Sequence, residues 1–329
     1  MSVPALDAAL AAGDLDELLR WVGRLVEAAD WDGLVELGRR CRTGFERSGH
    51  QLWPITSQVE YRLALEAPVA WAAPALVEGA GRFAFGPLPE VAASTHTWAA
   101  LAPHLTPGPV AGLVAHERVI RGEIADDKAV LGTDVLELPL VLQPWEPAYP
   151  VATYRFDGAE FPSPALPPLR RAMLPAPAPQ VADAHVPAAL AALVEPWVIE
   201  SNGVNHTVAV RGTAESAIAA VGHGEARVSE VGAGAALAAM AWAGASGGAH
   251  GRRRGAAVGR FGAWWSLAAL AGLIDDWPVP PEELGAAAKE LRWLQWEPAT
   301  GTTPGWSLHL AIEDPEEGLA WAIEASDRT

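Results

Sequence analysis

The stretch LRWLQWEPATGTTPGWSLHLAI, residues 291–312, decides the fold class, because it predicts two strands joined by a turn. Apolar and aromatic residues dominate both Leu291–Trp296 and Trp306–Ile312, as expected of strands that are largely buried. The Gly, Thr and Pro residues between them are typical of a turn. A β-hairpin in a chain whose other apolar residues mostly follow helical spacing predicts an α+β protein.

The same patterns extend upstream and predict that residues 188–329 form one mixed α+β domain. Three further strands are predicted at Trp197–Glu200, Thr207–Val210 and Arg227–Val231. The polar residues Ser201, Asn202 and Gly203 predict a turn between the first two strands. Helices are predicted at 187–194, 213–221, 232–245, 256–273 and 316–324, with another beginning at Pro280 and Pro281.

Residues 1–125 are predicted to form a helical domain. Asp14 and Asp30 each stand just before acidic residues that are followed by apolar residues at helical spacing. This is the pattern of a helix N-cap followed by an acidic first turn, which the helix dipole stabilises. The two runs are spaced like the halves of a helical hairpin, so a TPR-like or HEAT-like pair is one interpretation and a plain helical bundle is the other. Cys41 continues the apolar spacing of the second run and is predicted to be a packing residue.

Residues 126–187 are predicted to be a proline-rich connector. Ten prolines lie between Pro144 and Pro179, and proline removes a backbone donor and fixes φ, so regular structure is disfavoured there. Val135–Leu142 is apolar and β-branched enough to predict one strand within this connector.

The composition excludes several classes of function. The chain has 329 residues, a net charge of -17 and a single cysteine, so nucleic acid is not expected as a partner, and neither a disulfide nor a cysteine zinc site is expected within the chain. No basic region precedes the apolar residues at the N-terminus, which predicts a cytoplasmic location. The uncharged run from Val231 to Ala249 is rich in Ala and Gly, and Arg260 follows in the next apolar run, so a membrane hairpin is not favoured.

The leading candidate site is the elbow, defined as residues 246–255, SGGAHGRRRG. It combines conformationally flexible glycines with a cluster of arginines just before a predicted helix. This combination is suited to binding an anion, because helix N-termini and guanidinium groups both donate hydrogen bonds to negatively charged groups. The alternative is a plain helix–helix turn whose arginines pair with surface acids. Its candidate anion-binding residues are Gly248, His250, Gly251, Arg252, Arg253 and Arg254.

Two histidines are candidate acid/base groups, His250 in the elbow and His206 after the polar turn. Ser201, Asn202 and Asn205 are candidate hydrogen-bonding residues of that turn, although Asn-Gly is also an ordinary turn signal. His223 and Glu225, two residues apart, are a less favoured pair of candidate functional residues. No spacing typical of a metal site, a phosphate loop or a cofactor fingerprint occurs, so neither a metal nor a cofactor is predicted.

Three runs together resemble a known family. They are GPLPEVAASTHTW at 86–98, QPWEPAY at 143–149 and SGGAHGRRRGAAVGRFGAWW at 246–265. The chain is similar along nearly its whole length to an uncharacterised family of GC-rich, actinobacterial-type proteins that carry a domain of unknown function. This resemblance implies a bacterial cytoplasmic protein and no particular activity.

Two hypotheses of function follow from the residues. In the first, the protein is a non-catalytic binding or scaffold protein whose N-terminal helices present a surface to a protein partner and whose elbow binds an anionic small molecule or peptide. In the second, it is an enzyme acting on an anionic substrate, with Arg252–Arg254 binding the charge and His250 or His206 moving a proton. The first is favoured because no nucleophile–base pair is visible in the sequence.

Overall fold

The computed structural model describes residues 3–125, 136–165, 167–300 and 305–328. Packing of the backbone divides the chain into two compact units. We call Met1–Val135 with Ala152–Glu160 the helical unit, and Leu136–Val151 with Phe161–Thr329 the sheet unit. The predicted α+β class is confirmed.

The helical unit begins with four helices that pack around one core, which includes Leu18, Leu34 and Ile55. Asp14 and Asp30 act as predicted, since their side chains accept hydrogen bonds from the backbone N–H groups of Glu17 at 3.0 Å and Gly33 at 2.9 Å. The elements of this unit are α1 Val3–Ala12, α2 Leu15–Glu27, α3 Trp31–Ser48, α4 Trp53–Glu66, α5 Val69–Ala75, α6 Leu88–Thr95, α7 Trp98–Leu101, a 3-10 turn Ala102–His104, α8 Pro109–Ile120, and a small hairpin of β1 Thr153–Arg155 and β2 Gly158–Glu160.

The sheet unit is built on six antiparallel strands in the order β3-β5-β6-β7-β8-β4. The hairpin predicted from residues 291–312 is confirmed as β6 and β7, with Leu294 paired to Ala311. The elements are β3 Arg170–Met173, α9 His185–Leu193, α10 Glu195–Ile199, β4 Val204–Arg211, α11 Ala214–Val221, β5 Glu225–Val231, α12 Ala233–Ala245, α13 Ala256–Leu270, a 3-10 turn Ile274–Asp276, α14 Pro281–Glu290, β6 Arg292–Pro298, β7 Trp306–Asp314 and β8 Leu319–Asp327.

Helices cover both faces of this sheet. On one face α11 packs over Val208 and Val210 of β4, with Leu294 and Ala322 in the same core cluster. On the other face lie α9 and α12, which contact β4 and β7 respectively. The strand β8, which lies between β7 and the edge strand β4, has mostly buried side chains on both faces.

Three predicted elements are wrong. Residues 136–142 form no strand, because Pro139 interrupts the run and the carbonyls of Pro139 and Val141 accept from Arg260 rather than from a neighbouring strand. Residues 195–199 form the short helix α10, with Pro196 in its first turn. The end of the chain is the strand β8 and not a helix, because a strand covered on both faces loses the alternation that marks a half-buried strand.

The predicted connector is shared between the two units. Residues 152–160 belong to the helical unit, whereas 136–151 and 161–187 belong to the sheet unit. As a division into independently folding parts, the three-part scheme stays a prediction. Among the described helices, none combines the length and the apolar character needed to cross a membrane.

Candidate functional site

The elbow is a tight connection between α12 and α13 of the sheet unit. Gly248 adopts φ of 75°, a conformation that favours glycine. The N–H of Arg254 donates back to the carbonyl of Ala245 at 2.8 Å, which closes the turn just before α13 begins. This geometry agrees with the prediction of a helix–helix connection.

Several backbone donors of the elbow already have acceptors within the chain. The N–H of Ala249 donates to Asp327 Oδ2 at 2.6 Å, and the N–H of Arg252 donates to Glu200 Oε2 at 3.0 Å. The Asp327 side chain is fully buried. Two carboxylates of the protein thus occupy backbone positions at which an anionic ligand was expected to bind.

The three guanidinium groups of the elbow differ in their surroundings. Arg254 donates to the carbonyl of Ala192 at 3.4 Å, and burial lowers its pKa while the carboxylates of Glu195 and Glu200 oppose that change. Arg253 lies over the ring of Phe161 at 4.6 Å. Arg252 is exposed. Any anion bound at the elbow would therefore depend mainly on Arg252.

The structure does not bring His206 to the elbow. His206 on β4 is paired with Glu324 on β8, so both side chains point to the same face of the sheet. Asp327, which contacts the elbow, lies three residues further along β8 and points to the opposite face. His250 is exposed within the elbow, and its N–H donates to Ser201 Oγ at 3.2 Å. Asn202 and Asn205 are exposed.

A polar row that the sequence did not predict crosses the sheet near His206. Glu324 is flanked by His206 on β4 and by His309 on β7, and its Oε2 lies 3.0 Å from His223 Nε2. Burial lowers the pKa of the His309 imidazole to about 4, and the His223 charge acts in the same direction while Glu324 opposes it.

The partners of this row could not be read from sequence spacing. His223 pairs with Glu324, whereas its predicted neighbour Glu225 binds Arg171. Strand register, which sets these neighbours, is a long-range property. In the described parts of the chain, no cluster of three or more His, Cys, Asp or Glu side chains could hold a metal ion.

A concave site lies in the helical unit, between α3, α4 and residues 79–83. We call it the α3–α4 cleft, and its volume is about 470 Å³. Its lining side chains mix aromatic, cationic and hydroxyl groups with one carboxylate: Cys41, Arg42, Gln51, Leu52, Trp53, Thr56, Ser57, Glu60, Gly79, Arg82 and Phe83. The volume lies within the range of about 300–1,000 Å³ that is typical of small-molecule sites.

Hydrogen bonds from α4 fix the wall formed by residues 79–83. Glu60 Oε2 accepts from the N–H of Gly81 at 2.7 Å, and Ser57 Oγ accepts from the N–H of Phe83 at 2.8 Å. The second oxygen of Glu60 pairs with Arg42 at 2.7 Å. The cleft is therefore held in shape by its own side chains.

The surface of the cleft is aromatic and cationic. Trp53 is 49% exposed and Phe83 is 59% exposed, although both are large apolar side chains. The Arg82 guanidinium lies 5.7 Å from the centre of the Trp53 ring and has no carboxylate partner among the described residues. Helix α4 begins here after Leu52, without a side-chain cap.

Cys41 is the one cleft residue that the sequence analysis singled out. It is buried, as predicted for a packing residue, and burial raises the pKa of its thiol to about 12. The thiol is therefore not a nucleophile at neutral pH. The other cleft residues were missed because Trp53, at the start of α4, and Arg82, nearly thirty residues later, meet only through a long-range contact.

The fold and these sites define an α+β protein with a helical unit that carries an aromatic, cationic cleft and a sheet unit that carries the elbow and a histidine row. A family model described as a family of unknown function (DUF6183) matches residues 16–329. The chain belongs to this family, which confirms the resemblance stated from its sequence runs. No curated protein and no solved structure shows significant similarity to it.

Proposed function

We propose that this protein binds a small anionic ligand without catalysing a reaction on it, and that the α3–α4 cleft is the binding site. The observation that carries the proposal is the position of Arg82, which faces a preformed concave surface without a carboxylate partner among the described residues. Concave sites with a few convergent polar groups on an apolar lining are the usual form of ligand sites.

The charges around the cleft favour an anion. Glu60 forms an ion pair with Arg42 and offsets its charge. Among the described residues, no carboxylate forms an ion pair with Arg82, which instead lies over the Trp53 ring. The uncapped start of α4 has no acidic residue in its first turn and adds the positive end of a helix dipole. In a protein of net charge -17, this local cationic surface would distinguish anions from cations.

The elbow is the second candidate for the same function, because the exposed Arg252 remains available there. Fewer of its backbone N–H groups can donate to a ligand, since two of them already donate to Glu200 and Asp327. The enzymatic alternative would have to use His250, because His206 faces the other side of the sheet. A protein partner for the N-terminal helices stays a prediction.

A thermal-shift panel with inorganic phosphate, nucleotides and dicarboxylates tests the proposal. A ligand that binds the folded protein raises its melting temperature as its concentration increases above Kd. We expect at least one anion to stabilise the wild type and the Arg252→Ala variant, and to have little effect on Arg82→Ala. Loss of the shift in Arg252→Ala alone would move the site to the elbow. The absence of any shift across the panel would contradict the proposal.

A further inference from the structure

We infer that the ligand of the α3–α4 cleft carries a planar aromatic ring as well as its anionic group, with the ring stacked on Trp53 and the anion held by Arg82. This inference rests on the proposed function, since it assumes that the cleft binds an anion. It adds the class of ligand: an aromatic acid or a mononucleotide, which share a flat ring joined to a negative group.

Two exposed aromatic side chains line the same cleft. Trp53 and Phe83 leave about half of their surfaces in water, and covering such a surface with an apolar partner is favourable in proportion to the area removed from water. An inorganic anion or an aliphatic dicarboxylate would leave this surface wet. A flat ring would cover it, and stacking on an aromatic side chain adds a geometric preference.

The backbone at both aromatic positions is held in place before any ligand binds. Trp53 is the first residue of α4, and the backbone of Phe83 is bonded to Ser57 Oγ. Because the walls need little ordering on binding, more of the contact free energy appears as affinity. Leu52 and Cys41 also line the cleft and are almost fully buried.

The cation of the cleft lies close to the indole ring of Trp53. The guanidinium of Arg82 lies over the face of the Trp53 ring, 5.7 Å from its centre, in a cation–π contact. A ligand ring stacked on the part of the indole face that the guanidinium leaves open would lie beside Arg82. An anionic substituent on that ring would then be within reach of the guanidinium, which can donate two parallel hydrogen bonds to a carboxylate or phosphate. The two contacts select a ligand that has both features.

Isothermal titration with four probes separates the contributions of ring and anion. The probes are adenosine 5′-monophosphate, indole-3-acetate, adenosine and ribose 5-phosphate. We expect at least one of the two aromatic anions to bind at least roughly tenfold more tightly than both adenosine and ribose 5-phosphate, because stacking and the charged contact are each worth about tenfold or more. Tighter binding of adenosine 5′-monophosphate than of indole-3-acetate would assign a nucleotide, and the reverse an aromatic carboxylate.

Variants locate the effect in the cleft. Trp53→Leu should weaken the binding of the preferred aromatic anion by roughly tenfold, whereas Trp53→Phe, which keeps a stacking ring, should lose only about threefold. Phe156→Ala is the matched control, because Phe156 is 57% exposed in the same unit, lies against Arg62 and does not line the cleft. It should bind as the wild type does.

The outcomes distinguish the two proposals. If ribose 5-phosphate binds as tightly as the aromatic anions and Arg82→Ala abolishes that binding, the cleft is an anion site without ring selectivity, so the proposed function stands and this inference is wrong. If adenosine binds as tightly as the nucleotide and Arg82→Ala has no effect, the anionic part of the proposed function fails. If none of the probes binds, the inferred ligand class is wrong, and the wider anion panel decides the proposed function.

Discussion

Replacing Arg260 by methionine should destabilise the sheet unit by about 3–5 kcal/mol, the range measured when one partner of a buried ion pair is removed. Arg260 on α13 and Glu146 both have fully buried side chains. Two hydrogen bonds join them, from Nε to Oε1 at 2.7 Å and from the guanidinium to Oε2 at 2.8 Å. The same guanidinium donates to the carbonyl of Pro139 at 2.9 Å, and so ties the proline-rich segment to α13.

The size of the effect follows from what the substitution leaves behind. The carboxylate of Glu146 would keep its neutral donors, Trp264 Nε1, Tyr149 Oη and the N–H of Gln143, each at 2.8 Å. It would lose the guanidinium of Arg260, which neutralises its charge. Changing Glu146 to Gln in the same protein removes that charge and keeps an oxygen acceptor for the tryptophan and tyrosine. The double variant should therefore recover at least about 2 kcal/mol of the loss.

The pH dependence provides an internal check. Burial raises the pKa of the Glu146 carboxyl, but the hydrogen bonds and charge of Arg260 outweigh it, so that its pKa lies below the ordinary value. The wild type therefore loses this contribution as pH falls through the lowered pKa. In Arg260→Met, the effect of burial on the Glu146 carboxyl is no longer opposed by Arg260, so the pKa of this carboxyl should rise. The folded variant should then take up a proton at Glu146 as pH falls. The difference in stability between variant and wild type should shrink as pH falls from about 7 to about 4.

Urea unfolding followed by circular dichroism and by tryptophan fluorescence measures these differences, and the two signals together reveal whether the units unfold separately. The reasoning would be refuted by an Arg260→Met protein within about 1 kcal/mol of the wild type at pH 7. A double variant no more stable than the single one would refute the assignment of the loss to an uncompensated charge.

Two further predictions concern packing and protonation. Gly259→Ala should lower the free energy of unfolding by about 1–3 kcal/mol, because a Cβ there would overlap the Ala241 carbonyl oxygen where α12 contacts α13. Gly23→Ala is the control: Gly23 lies in α2 with open space around it, so this change should stabilise the protein by up to about 1 kcal/mol. Equal effects of the two changes in denaturant titrations would contradict this prediction. Because the pKa of His309 is lowered to about 4, the sheet unit should lose stability as pH falls from about 6.5 to about 4, by about 3 kcal/mol at most, and His309→Leu should flatten that part of the stability–pH curve.

Local signals in the sequence predicted much of the fold. Asp14 and Asp30 cap helices as expected, since a cap depends on residues only three positions apart. The pairing of β6 with β7 likewise follows from two apolar runs that are close in the sequence. The strand β8 was missed because its Leu, Ala, Trp and Ile residues are buried on both faces, and such a run does not differ by periodicity from a buried helix.

The candidate sites were harder to predict because their residues meet through long-range contacts. Glu324 lies between His206 and His309 only because β8 pairs with both β4 and β7. The α3–α4 cleft exists because Glu60 and Ser57 hold a loop more than twenty residues away. The local spacing of residues in the sequence does not predict contacts between residues so far apart.

The comparison of the elbow with the cleft gives a physical reason for preferring the cleft. In an acidic protein most cations find a carboxylate: Arg292, for example, contacts Glu215, Glu230 and Glu313 together. A run of arginines in the sequence therefore predicts internal ion pairs at least as strongly as a ligand site, and the backbone of the elbow is in fact taken by Glu200 and Asp327. What distinguishes Arg82 is a position that the sequence does not display: an exposed guanidinium beside a concave aromatic surface, where desolvation on binding strengthens a charged contact that water would otherwise weaken.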